Sequence, residues 1–156
     1  MLTWQMLQKL LSIILDKIKQ QGKFYMQNST HGSYRIEQQN NILMIDAQGP
    51  FDDVISEQYH KDIKIITQKM RNNPWASLVS FTGNAVITPD AELNLIETTQ
   101  YRVDNGMVAI AAVILDSAYA DTLQMQLQRI YLNCSVQFNF FSDTKNAQRW
   151  LESFIN

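Results

Sequence analysis

His60 stands seven residues after Asp53, three after Glu57 and four before Lys64. On a helix that spacing brings an imidazole and two carboxylates to one face. Such a group can move protons near neutral pH. A hydrolytic triad also needs a nucleophile, and the chain has no nucleophile elbow, phosphate-loop glycine pattern or zinc-type histidine pair. Two histidines (His31, His60) and one cysteine (Cys134) do not complete a typical zinc site without carboxylates or a second chain. No catalytic residue, metal or cofactor is expected, and His60 stands as a candidate functional histidine. A lone Cys134 forms no intrachain disulfide, which fits a reducing compartment.

The second constellation is a loop. Thr88-Pro89-Asp90 reads as a helix start, with a threonine N-cap, proline at the first helical position and a carboxylate on the dipole. Thr82, Gly83 and Asn84 lie just upstream, after an apolar strand. Open α/β sheets bind ligands at the carboxyl ends of their strands, and amides at a helix N-terminus favour anions. Asp116 and Ser117 follow the most apolar strand, and parallel topology would place them beside this loop. Thr82, Gly83, Asn84, Thr88, Asp90, Asp116 and Ser117 are the candidate binding or switch residues, with Thr82 a possible phosphate acceptor.

The elements that must position these residues follow from periodicity. Residues 2–19 read as a helix whose Leu7, Leu10, Leu11, Ile14 and Ile18 form an apolar stripe. Residues 27–33 read as a polar linker. Strands are expected at 34–38 and 42–48 around an Asn40-Asn41 turn, then a helix over 53–71 capped by Asp52 or Asp53. A strand at 76–81, a helix to Asn105 ended by Gly106, and a strand at 107–115 come next. The 107–115 run is apolar on both parities, as a strand covered on both faces must be. A helix capped by Asp116 or Ser117, a strand at 136–141 and a helix capped by Ser142 or Asp143 close the order. The pattern is ββαβαβαβα: an α/β fold with a mostly parallel five-stranded sheet, an antiparallel edge and an extra N-terminal helix. It divides as 1–30, helix and linker, and 31–156, the domain. The aromatic and methionine content, including Trp75, Phe81 and Tyr131, suits a core or an apolar pocket.

Charge narrows the partners. The net charge is −2, split as +3 over residues 1–30 and −5 over the rest, without a Lys/Arg cluster. That excludes a nucleic-acid face, which needs a basic surface to displace counterions. The longest clean apolar run, 107–115, is far short of the roughly 20 residues that span a bilayer. Residues 2–15 lack the basic start and small-residue cleavage site of a signal peptide. A cytoplasmic protein is expected. The N-terminal helix could dock on the domain, pair in a homodimer or lie on a membrane, with docking or pairing favoured.

Several short segments carry a family resemblance. They are His31-Gly32-Ser33-Tyr34, Ala47-Gln48-Gly49-Pro50-Phe51, Gln58-Tyr59-His60, Asn73-Pro74-Trp75-Ala76, Thr88-Pro89-Asp90-Ala91-Glu92 and Ala147-Gln148-Arg149-Trp150-Leu151. Together with the element order they resemble the STAS fold, in particular the SpoIIAA-like bacterial proteins, over roughly residues 31–156. That superfamily is related by fold to CRAL-TRIO lipid carriers. Its antagonists carry a phosphorylatable serine after the third strand, in an Asp-Ser-Ser-Gly-like loop. Here the equivalent stretch runs from Phe81 through Thr88 without an Asp-Ser pair. The resemblance implies a non-enzymatic regulatory or protein-interaction module acting through the 82–90 loop. Its alternative is a binder or carrier of a small apolar ligand or lipid.

Overall fold

A computed structural model describes residues 1–21, 24–29, 31–115 and 118–155; for 16–21 and 24–29 it describes the backbone alone. The elements are α1 (Trp4–Gln21), β1 (Phe24–Ser29), β2 (Gly32–Gln39), β3 (Ile42–Gln48), α2 (Asp53–Thr67), β4 (Trp75–Thr82), α3 (Pro89–Asp104), β5 (Met107–Ile114), α4 (Ala120–Asn133), β6 (Gln137–Phe141) and α5 (Thr144–Ile155). The class is α/β, and the strand–helix alternation after β2 is the expected one.

The sheet is mixed and its spatial order is the chain order, β1 to β6. β1, β2 and β3 pair antiparallel, and β3 through β6 pair parallel. The five expected strands are present, and a sixth joins them. Gln27, Asn28 and Ser29, expected in a linker, form the second half of β1 and pair with Tyr34, Ser33 and Gly32. The sheet therefore begins before the boundary placed at residue 31. An edge strand needs hydrogen bonds on one side only, so a segment such as β1, apolar in its first half and polar in its second, can join the ladder without an apolar alternation to announce it.

Strands added in one direction by right-handed crossovers put their connecting helices on one face. α2, α3 and α4 accordingly cover one side, over a core built around Ile36, Leu43, Ile63, Ile110, Leu123 and Ile130. α5 covers the other, with Ala147 and Leu151 seated on Ala76, Leu78, Ala109, Ala111 and Val113. β5 is buried along both faces, as its unbroken apolar run requires. α1 keeps its apolar side chains in solvent: Trp4 is 73% exposed, Leu11 58% and Ile14 52%. Among the described residues no helix is long and apolar enough to cross a membrane.

Candidate functional site

Residues 82–90 form a packed joint. Thr82, exposed, ends β4, and Gly83 turns the chain at φ +68°. The Ala85 amide donates to the Gly83 carbonyl (3.0 Å) and the Val86 amide to that of Asn84 (2.8 Å). Phe51, just after β3, donates its amide to Val86 (2.9 Å) and accepts from that of Thr88 (2.9 Å). The β3 loop and this loop meet so closely that a Cβ on Gly49 would lie 2.4 Å from the Ala85 Cα. Gln126 of α4 completes the joint: its Oε1 accepts from the Ile87 amide (3.3 Å) and its Nε2 donates to the Ile87 carbonyl (2.9 Å).

Thr88 caps α3, its Oγ1 accepting from the Ala91 amide (3.2 Å), and its carbonyl accepts from Glu92 (2.9 Å). Asp90 lies in the first turn, exposed, and Glu92 forms a two-pronged pair with Arg129 (2.6 and 2.9 Å). Arg129 holds the Glu92 carboxyl below its usual range, against a smaller opposing effect of burial. Most amides of this loop are thus already spent inside the protein, and two carboxylates stand at its helix start. Asp116 and Ser117 lie outside the described residues. The Leu115 amide, donating to the Phe81 carbonyl (2.9 Å), brings the end of β5 to the start of the loop. α4 was expected to start from a cap at Asp116 or Ser117. It starts at Ala120 instead, with Tyr119 before it and no side-chain cap.

His60 meets α3, and its contacts are to Thr98 and Glu97 there rather than to Asp53 or Glu57. The Thr98 hydroxyl donates to the Asn94 carbonyl (2.8 Å), so its oxygen accepts from His60 Nδ1–H (2.8 Å). That arrangement leaves Nε2 with a lone pair, buried and without a hydrogen bond, 3.7 Å from Glu97 Oε1. Burial, then Lys64, lowers the affinity of His60 for a proton, and Glu97 partly opposes them. His31 instead pairs with Asp52, which caps α2 by accepting from the Ile55 amide (3.2 Å). Burial pushes the Asp52 carboxyl up, but the Ile55 amide and His31 outweigh it and hold it low. No His, Cys, Asp and Glu cluster suited to a metal occurs among the described residues.

The structure also contains a cavity that the sequence reading did not place. It measures about 50 Å³ and lies between the sheet and the α2–α3–α4 layer. Tyr34, Phe51 and Phe81 line it from the sheet side, and Tyr59, Arg102 and Tyr131 from the helices. Phe51 and Phe81 meet edge to face, as do Tyr34 and Tyr59. Of the aromatics expected in a core or pocket, Phe81 and Tyr131 reach the cavity wall, whereas Trp75 is sealed in the core. Burial raises the Tyr59 and Tyr131 hydroxyls above the ordinary tyrosine range, and the nearby charge of Arg102 opposes it. Burial likewise raises the Cys134 thiol, again against Arg102, so it is not a reactive thiolate at neutral pH. Arg102, 2% exposed, is a polar residue that the sequence reading missed. An arginine in a helix's last turn ordinarily complements the dipole and gives no signal of burial.

No protein-family model, curated protein or solved structure matches the chain.

Proposed function

We propose that this chain is a non-enzymatic binding module whose ligand is a small, largely apolar molecule held between the sheet and the α2–α3–α4 layer. The apolar cavity carries the reading. A well-packed core holds few voids larger than a water, and this one is lined by aromatic side chains from both layers. At the family level the reading remains STAS-like. It is supported by the ββαβαβαβα order of β2 through α5 and by the short motifs, with the apolar-ligand alternative placed ahead of the switch loop. A cytoplasmic location belongs to the same proposal.

The experiment is native mass spectrometry of the protein purified from its own host. A small-molecule increment that is lost on denaturation supports the reading. A clean apo mass, together with failure of xenon to enter the cavity by NMR, overturns it.

A second reading concerns partners. The exposed apolar side of α1 favours a protein partner or homodimer through that helix. Deleting residues 1–21 should then lower the mass in solution; an unchanged mass removes the homodimer.

A further inference from the structure

Most of the large apolar side chains that the described residues leave exposed lie in one place, between Met1 and Leu15. The others are spread over α2 to α5, with Tyr119 before α4. Single exposed apolar residues are ordinary on a protein surface, whereas a contiguous face is an interaction site. The domain shows no apolar surface of comparable extent for α1 to dock on. The matching surface belongs to α1 of another copy.

The spacing says how many copies that face serves. Trp4, Leu7, Leu11 and Ile14 follow one another at steps of 3, 4 and 3, which sets them in one line along the helix. Met6, Leu10 and Ile13, at steps of 4 and 3, form a second line. All seven are 44–73% exposed. At 3.6 residues per turn the two lines stand a little more than a right angle apart, and with Leu15 the apolar arc covers more than half of the helix circumference. Gln5, Gln8, Lys9 and Ser12 fill the remaining side. One partner helix seats its knobs along one such line, so a simple pair leaves the other line in water.

Area leads to the same conclusion. Half-exposed side chains of this size hold roughly 80 Å² apiece, so the face presents on the order of 700 Å² per copy. A pair meeting along one line buries about half of that on each side, on the order of 700 Å² in all, below the roughly 1,200 Å² at which specific interfaces begin. Using both lines doubles the area for each copy. Neighbours around a triangle of helices meet each one at a sharp angle, and around a square at a right angle, so the lines call for four or more. A lipid surface fits less well: a helix lying on a bilayer has a basic polar side, whereas Lys9 is the one cation between Trp4 and Leu15, and residues 31–156 carry −5. We propose that α1 gathers copies of this chain into a bundle of at least four helices, both apolar lines facing inward. This rests on the reading of α1 as a protein contact, and it names the partner and the number.

The test is the mass of the full chain in solution, by sedimentation equilibrium and native mass spectrometry. The expected particle is at least four times the 18.1 kDa chain. Two double variants break one line each: Met6→Gln with Leu10→Gln, and Leu7→Gln with Leu11→Gln. Glutamine keeps the helix, and these side chains are exposed in the single chain, so circular dichroism should not change. Either variant should reduce the particle to two copies or one, and Lys9→Gln, on the polar side, should leave it whole. A wild-type particle of two or three copies that the variants dissociate keeps the protein contact and overturns the bundle. A large particle that neither variant alters places its contacts elsewhere and overturns the proposal. A wild-type monomer overturns the homodimer and the bundle together. If that monomer also floats with vesicles of phosphatidylglycerol and phosphatidylcholine, the face belongs to lipid.

Discussion

Replacing Gln126 by alanine tests whether the 82–90 loop is a structural joint. The Gln126 amide makes two hydrogen bonds to the backbone of Ile87, a residue 2% exposed. Removing both leaves an N–H and a C=O without their partner. Each such group costs about 1–3 kcal/mol when buried, and less where water reaches the gap left by the side chain. The structure therefore sets a loss of about 2–4 kcal/mol for Gln126→Ala. In a domain of this size that is a fall in Tm of about 5–12 °C. Gln126→Glu keeps the shape but replaces the donor facing the Ile87 carbonyl with an oxygen, and should lose at least as much. Urea unfolding followed by circular dichroism measures the loss. Hydrogen exchange at the Phe51, Ile87 and Thr88 amides locates it, because these amides share the joint. A loss below about 0.5 kcal/mol, the range of ordinary surface substitutions, would refute the reasoning.

Three further outcomes are expected. Thr88→Ala, which removes the α3 cap, should cost about 1 kcal/mol in urea unfolding. Thr88→Ser should restore most of it. Gly49→Ala drives a methyl against the Ala85 backbone at 2.4 Å and should destabilise more than the cap variant; equal stability would mean that the two loops can part freely. The third concerns pH. His60 binds its proton less readily in the fold than in the unfolded chain. Its stabilising contribution is therefore present above its unfolded value of about 6.5 and is lost as pH falls from there through its depressed folded value. Stability measured by urea from pH 7.5 to 5 should decline, and His60→Gln should flatten that decline. An unchanged slope in the variant would show that other groups carry it.

The elements legible in the sequence are those whose burial imposes a period. Ile55, Tyr59, Ile63 and Ile66 announce α2 because one face must meet the core; all four are buried, as is Met70 in the turn just past the helix end at Thr67. Met107 through Ile114 announces a strand covered on both sides. Asp52 and Thr88 declare their helix starts because a cap is a local contract between a side chain and the next turn. β1 escapes notice because edge pairing is written in main-chain hydrogen bonds, which any sequence carries. The candidate site shows the same division. Thr88 and Gly83 were legible from their backbone chemistry. Gln126 and Arg102 were not, since both act across elements: Gln126 spans 39 residues to Ile87 and Arg102 spans 25 to Ser77. His60 was read with carboxylates on its own helix, and its partners turn out to be Thr98 and Glu97 on another.

The identity of spatial and chain order in the sheet bears on how the protein is made. Every strand pairs with the one synthesised just before it, and no pair of neighbours is further apart in sequence than β3 and β4 at Ile42 and Ala76. Loop-closure entropy stays small at each step, so the sheet can lengthen one strand at a time as the chain leaves the ribosome. At each stage a single growing edge waits for its successor. The exception is the strip of Ala76, Ala109 and Ala111, which is complete once β5 has paired but is covered only by α5, the last element of all. Until then this apolar strip faces solvent, as the apolar side chains of α1 do in the finished fold.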